Sequence, residues 1–310
     1  MATVFERIGR GEVIVLDGAM GTELQRRGVP MNRIAWSAVA LHTHPEVIGA
    51  IHEDYILAGA DIIITNSFGA SRHVLEPAGL GDRVAALNRR SVELARQARE
   101  RVGGTREIAI AGSLSSWIAE GEAKNKPAPE AARASYREQA ELLAEAGADL
   151  LILEMMRDVE QSRIMVEAAR ATGLPVWVGF TCTLRADGAV LLRHREQQLA
   201  LVDALAPVMA TGGSLVAVMH SDLDAIDPAL DIVFQRWQGP IAVYPHSGDW
   251  APPNWQFVRV IAPDELARLA QQWIARGVQV VGGCCGLGPD HIRALSEQVR
   301  GQRVPVRLAP

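Results

Sequence analysis

The sequence predicts a (β/α)8 TIM barrel, a single domain over residues 1–310. Three observations carry that prediction: eight short apolar runs rich in β-branched residues, an amphipathic helical pattern after each, and polar residues gathered at the carboxyl ends of the runs. The runs fall at 13–16, 61–65, 108–111, 150–153, 176–180, 215–218, 241–244 and 278–281. Each is continuous rather than alternating, as a strand buried on both faces reads.

The helical patterns fall at 45–58, 83–101, 130–146, 159–171, 197–210, 223–237, 263–275 and 290–299. Pro263-Asp264-Glu265 and Pro289-Asp290 place proline and acids where a helix start has spare N–H groups and a positive dipole end. Ala58-Gly59-Ala60-Asp61 and Ala146-Gly147-Ala148-Asp149 read as one helix-to-strand turn used twice. An open doubly wound sheet is the competing architecture. No Gly-x-Gly-x-x-Gly follows the first run, however, and Gly103-Gly104 and Gly212-Gly213 read as turns.

Composition narrows the function. A net charge of −5 argues against a nucleic-acid surface. The longest apolar runs are strand-sized, and residues 1–7 lack the charged-then-apolar order of a leader, so a cytoplasmic protein without a membrane partner is expected. The three cysteines, Cys182, Cys284 and Cys285, are too few for a disulfide framework. The two lysines, Lys124 and Lys126, lie outside every predicted strand, which argues against Schiff-base chemistry in a barrel pocket.

In a barrel of this kind the active site forms at the strand carboxyl ends. Asp17, Thr65-Asn66, Ser113 to Trp117, Glu154, Cys182, His220, His246 and Cys284-Cys285 all fall there, so one mouth is expected to collect them. Adjacent cysteines rarely bridge each other, because the ring is strained. Two thiolates at a strand end suit a soft metal such as zinc; the plainer alternative is two small buried apolar side chains. Asp17 and Glu154 directly follow apolar strands, where an unpaired carboxylate is costly. A substrate ammonium would suit them, as would an arginine or a backbone cap. Trp36, Phe68, Trp117, Tyr244 and Trp250 could face a cationic group or simply pack, with Trp117 the strongest candidate. His73, His194 and His291 receive no role.

Several segments resemble the zinc-dependent homocysteine S-methyltransferases, which include the betaine–homocysteine and S-methylmethionine–homocysteine enzymes. They are residues 16–24 (Leu-Asp-Gly-Ala-Met-Gly-Thr-Glu-Leu), Trp36-Ser37-Ala38, residues 55–70, residues 87–95, Tyr244-Pro245 with Ser247-Gly248, and Gly282-Gly283-Cys284-Cys285-Gly286. The resemblance covers nearly the whole chain. It implies methyl transfer from a small sulfonium or quaternary ammonium donor, such as S-methylmethionine, to the thiol of homocysteine or a related thiol or selenol. It also implies three thiolates on Zn2+, with Asp17 and Glu154 matching the acids that hold the homocysteine amino group. Thr65, Asn66, Ser113 and Trp117 complete the expected substrate-binding set, and a homo-oligomer is compatible with the sequence.

Three departures lie at the mouth. His220 stands where the third cysteine is expected, so the expected metal ligands are His220, Cys284 and Cys285, with Cys182 read as core packing. Ser113-Leu114-Ser115-Ser116-Trp117 replaces a Gly-Pro-Tyr-Gly setting, and His246 replaces an asparagine. Two thiolates and a histidine leave zinc neutral where three thiolates leave it negative, which makes a stronger Lewis acid and a less nucleophilic bound thiolate. Hydrolysis or lyase chemistry at such a Cys2His site, or a non-catalytic metal- or thiol-binding barrel, are the alternatives.

Overall fold

The computed structural model describes residues 2–118, 126–193, 198–251 and 256–307. Lys124, His194 and the side chain of Trp250 lie outside the described residues. Eight parallel strands form one sheet: β1 (Ile14–Val15), β2 (Ile62–Ile64), β3 (Ala109–Ser115), β4 (Leu150–Met156), β5 (Val176–Phe180), β6 (Leu215–Met219), β7 (Ile241–Tyr244) and β8 (Val280–Val281). Each strand from β2 onward pairs with the next. β8 returns to β1 through Ile14↔Val280 and Val15↔Val281, and Leu16 bridges Ile62 to close the circle. The sheet is therefore a nearly closed barrel rather than an open doubly wound one. Helices at Pro45–Ala58, Val84–Val102, Pro129–Glu145, Val159–Arg170, Leu201–Met209, Leu223–Arg236, Pro263–Ala275 and Pro289–Val299 surround it.

Strand periodicity divides the core into two layers. Leu150 and Ile152 point into the lumen with Ile14, Ile62, Trp177, Leu215 and Ala242. Leu151 and Leu153 point outward onto the helices. Both sets are buried, which is why the runs read as continuously apolar. The Val4–Gly9 helix, with a capping box from Thr3 and Glu6, adds Val4 to the inner layer.

The duplicated turn has a structural counterpart. Gly59 and Gly147 adopt left-handed φ values of 109° and 99°, which glycine takes without a side-chain penalty. Asp61 then accepts from the Val15 N–H at 3.0 Å, and Asp149 from the Ile110 N–H at 2.7 Å. Arg7 and Arg99 pair with these two carboxylates. Asp61 is thus a bracket for the neighbouring strand, so β2 begins one residue later than its apolar run predicts.

Other boundaries also moved. β3 and β4 run to Ser115 and Met156, beyond the predicted ends at 111 and 153, because Ser115 still pairs with Glu154 and Met156 with Phe180. Two antiparallel hairpins, Cys182–Leu184 with Val190–Leu192 and Asp249–Ala251 with Gln256–Val258, are additions to the predicted scheme. Among the described residues, no helix is long and apolar enough to cross a membrane.

Candidate active site

A cavity of about 870 Å³ opens at the carboxyl end of the barrel. Its lining includes Thr65, Asn66, Trp117, Glu154, His220, Cys284 and Cys285. Asp17 and Ser113 stand one layer behind it, almost fully buried. Cys182 joins the outer layer, as core packing requires, in step with Val176, Val178 and Phe180, while Thr181 beside it lines the cavity. Burial drives its thiol up to about 12, so it behaves as a small core residue. Lys126 borders the cavity from outside the strands.

Parity explains Ser113 and Glu154. Both continue inward registers, Ala109–Ala111–Ser113 and Leu150–Ile152–Glu154. Ser113 Oγ donates to Glu154 Oε1, and the Ser113 N–H donates to Thr65 Oγ1 at 3.1 Å. Thr65 Oγ1 also meets Ser67 Oγ at 2.7 Å. Asn66 is held by Ser37, whose hydroxyl donates to Oδ1 at 2.6 Å and whose carbonyl accepts from Nδ2 at 2.9 Å.

Parity does not explain His220. Leu215, Ala217 and Met219 face the lumen, so the next residue should face out. A φ of 49°, rare for a side-chain-bearing residue, turns it back over the cavity. Its Nε2 lies 2.8 Å from Glu154 Oε2 and its Nδ1 lies 2.9 Å from Cys284 Sγ. Trp36 and Met155, also at the mouth, have φ values of 50° and 58°.

Cys284 Sγ and Cys285 Sγ lie 3.6 Å apart. Burial pushes the Cys284 thiol up, while hydrogen bonding from Cys284 and from His220 holds Cys285 well below the usual thiol range. Burial would lower His220, but the thiol and Glu154 outweigh it and raise the ring to about 9. Burial also raises Asp17, reinforced by the charge of Glu154 and opposed by the Ile64 N–H, which donates at 2.7 Å. The site thus concentrates buried acids and thiols around His220, and a bound cation would relieve it.

Three aromatic rings form one wall. Trp117 sits 5.4 Å from Trp36 and 6.0 Å from Phe68, with its indole N–H donating to the Ile34 carbonyl at 2.9 Å. Phe68 in turn lies 5.8 Å from the His220 ring, and Tyr244 lies 6.3 Å from it edge-on.

Sequence reading missed a second polar group at the rim. Asp222 accepts from Arg193 and lies 2.5 Å from His246 Nε2. The hydrogen bond from His246 holds the Asp222 carboxyl down at about 2. The partners come from three loops, so spacing could not link them; the signal available was His246 at a position where asparagine was expected.

A profile of the homocysteine S-methyltransferase family matches residues 14–299. The homocysteine S-methyltransferase of Escherichia coli (strain K12) is 33% identical, over 93% of this chain and 96% of its own. The selenocysteine methyltransferase of Astragalus bisulcatus is 28% identical over 92% of each chain. Among solved structures, the metallated form of the Escherichia coli homocysteine methyltransferase MmuM superposes with a TM-score of 0.75 at 30% identity, covering 93% of this chain and 96% of that one.

Proposed function

This chain belongs to the homocysteine S-methyltransferase family and is a methyltransferase, and from that premise we propose its chemistry: methyl transfer from a small sulfonium or quaternary ammonium donor, such as S-methylmethionine, to homocysteine or a related thiol or selenol. The observation that carries the reading is the meeting of Cys284, Cys285 and His220 on one wall of a cavity that also holds Glu154 and Trp117.

Zinc is the metal we propose for His220, Cys284 and Cys285. Among the described residues, no three His, Cys, Asp or Glu side chains stand ready-spaced for a metal. The donor chemistry nevertheless fits. Ligands on a tetrahedral zinc stand about 3.8 Å apart for two thiolates and about 3.6 Å for a thiolate and an imidazole nitrogen. The thiols at 3.6 Å are close to that spacing, while the His220–Cys284 hydrogen bond at 2.9 Å would have to open by about 0.7 Å. Bound there, zinc would lower the pKa of a substrate thiol so that its thiolate persists at neutral pH.

The chain's own residues do the rest. Glu154 and, from the layer behind, Asp17 supply negative charge for the substrate ammonium. Thr65, Asn66 and Ser113 hold the floor, and Ser113 fixes Glu154 from below. Trp117, braced by Trp36 and Phe68, offers an aromatic face to the donor cation. The substrate sulfur forms its bond to the methyl carbon as the donor's carbon–sulfur or carbon–nitrogen bond breaks, its electron pair leaving on the donor. No protein acid or base acts at carbon; alignment and exclusion of water are what the cavity contributes.

The test is an assay of the zinc-loaded protein with homocysteine and selenocysteine as acceptors against a panel of onium donors. Turnover with at least one pair is expected. Fully loaded protein that methylates neither acceptor with any donor would overturn the reading.

A further inference from the structure

The histidine at the third ligand position brings a problem that a cysteine does not have. A thiolate offers one donor atom on a short side chain. An imidazole offers two nitrogens, can rotate, and coordinates only through a nitrogen that has lost its proton. A partner on the far nitrogen settles both matters, by holding the ring and fixing the proton there.

Glu154 is placed to be that partner. Its Oε2 lies 2.8 Å from His220 Nε2, while Nδ1 on the other side of the ring faces the thiols, 2.9 Å from Cys284 Sγ. A carboxylate only accepts, so this contact holds a proton on Nε2 and leaves Nδ1, on the thiol side, as the nitrogen that would coordinate once a metal displaces its proton. The carboxylate is itself fixed: Ser113 Oγ donates to its Oε1, and the Ser113 N–H is tied to Thr65 Oγ1. The His220 N–H donates to the Tyr244 carbonyl at 3.0 Å, which holds the left-handed backbone that aims the ring. Ser113, Glu154, His220 and the paired thiols thus form one line across the ends of β3, β4, β6 and β8.

We propose that Glu154 is a positioning residue for His220, orienting its Nδ1 toward the metal, in addition to any charge it offers a substrate. The proposal rests on the reading of His220, Cys284 and Cys285 as zinc ligands. It makes Glu154 and His220 a matched pair: the carboxylate matters to the metal because the ligand is a histidine.

The experiment measures zinc affinity by chelator competition in four full-length proteins: wild type, Glu154→Gln, His220→Cys and the double variant. Glu154→Gln should weaken zinc by roughly 10- to 100-fold in the wild-type background, the usual cost of losing such a partner, while still binding one zinc at saturation. In the His220→Cys background the same change should cost less than about 3-fold, because a thiolate needs no orienting partner. Equal losses in both backgrounds, or unchanged affinity in the wild-type background, would overturn the pairing and leave the zinc reading standing. Wild-type protein that binds no zinc would overturn both. Should Glu154→Gln fail to fold, Ser113→Ala, which frees the carboxylate from below, should show a smaller loss in the same direction and only where His220 is present; no loss there would overturn the pairing.

Discussion

The wall of this barrel and its carboxyl rim are made from the same strands on opposite principles. Along β4, Leu150 to Leu153 are buried on both faces, and their backbone lies in regular register with β3 and β5. Two residues further on, the register with β5 shifts, Met155 takes a φ of 58°, and Glu154 sets a carboxylate in the cavity against a histidine and a serine. Along this stretch the wall is apolar and its strands stay in register. The rim buries acids and thiols and holds Trp36, Met155 and His220 in backbone conformations that cost of order 1 kcal/mol or more each. The scaffold's stability supports a rim that chemistry, not packing, has shaped.

That contrast can be broken in three ways. The largest effect should come from the rim. Cys285→Ser should lower kcat/KM for methyl transfer on the order of 10³-fold, about 4 kcal/mol of transition-state stabilisation, yet move the unfolding free energy by less than about 1 kcal/mol. Steady-state kinetics beside urea unfolding would show the split, and a large stability loss would mean the thiol belongs to the wall.

The wall should give the reverse. Leu153→Ala, at a fully buried position in the outer layer, should cost about 3 kcal/mol of stability through lost contacts and a residual cavity. Below its melting temperature the variant should keep KM within about 2-fold. A KM shift far beyond that would show that wall and rim are not independent.

The smallest effect concerns a polar group on the wall's side. Among the described residues, both ring nitrogens of His52 lack a hydrogen-bond partner, although the side chain is fully buried on the Pro45–Ala58 helix. Burial alone drives its imidazole down to about 3, and burial drives His73 down to about 4. The unfolded chain takes up these protons near pH 6.5 while the folded chain does not. Stability present above pH 6.5 should therefore be lost as the pH falls from there towards 3. His52→Leu should stabilise the protein by about 1–2 kcal/mol at pH 7 and make the acid decline shallower. Urea midpoints at pH 7 and pH 5 test both; a destabilised variant would mean the ring has a role beyond filling space.

The same division sets what the sequence could reveal. The wall was legible because burial on two faces leaves continuous apolar runs, and the repeated Ala-Gly-Ala-Asp turn marked where strands begin. Glu154 was legible at the rim because it keeps step with Leu150 and Ile152. His220 could be placed at a strand end, but not aimed, because its φ of 49° breaks the alternation that parity relies on. Cys182 was legible as core packing because it keeps step with Val176, Val178 and Phe180 on the outer face. The Arg193–Asp222–His246 group brings together three loops that only the closed barrel makes neighbours.

The seam between β1 and β8 has a consequence for how the molecule comes into being. Only two residue pairs join those strands, and they link residues 14 and 15 to residues 280 and 281. Such a contact closes a loop of nearly the whole polypeptide, so it forms late, after more local pairings have reduced the entropy of closure. The paired thiols follow immediately after β8 and Asp17 immediately after β1. Asp17 therefore meets the thiols only when the ring closes, whereas Glu154, His220, Cys284 and Cys285 lie at the ends of strands that pair in sequence from β4 to β8 without the seam.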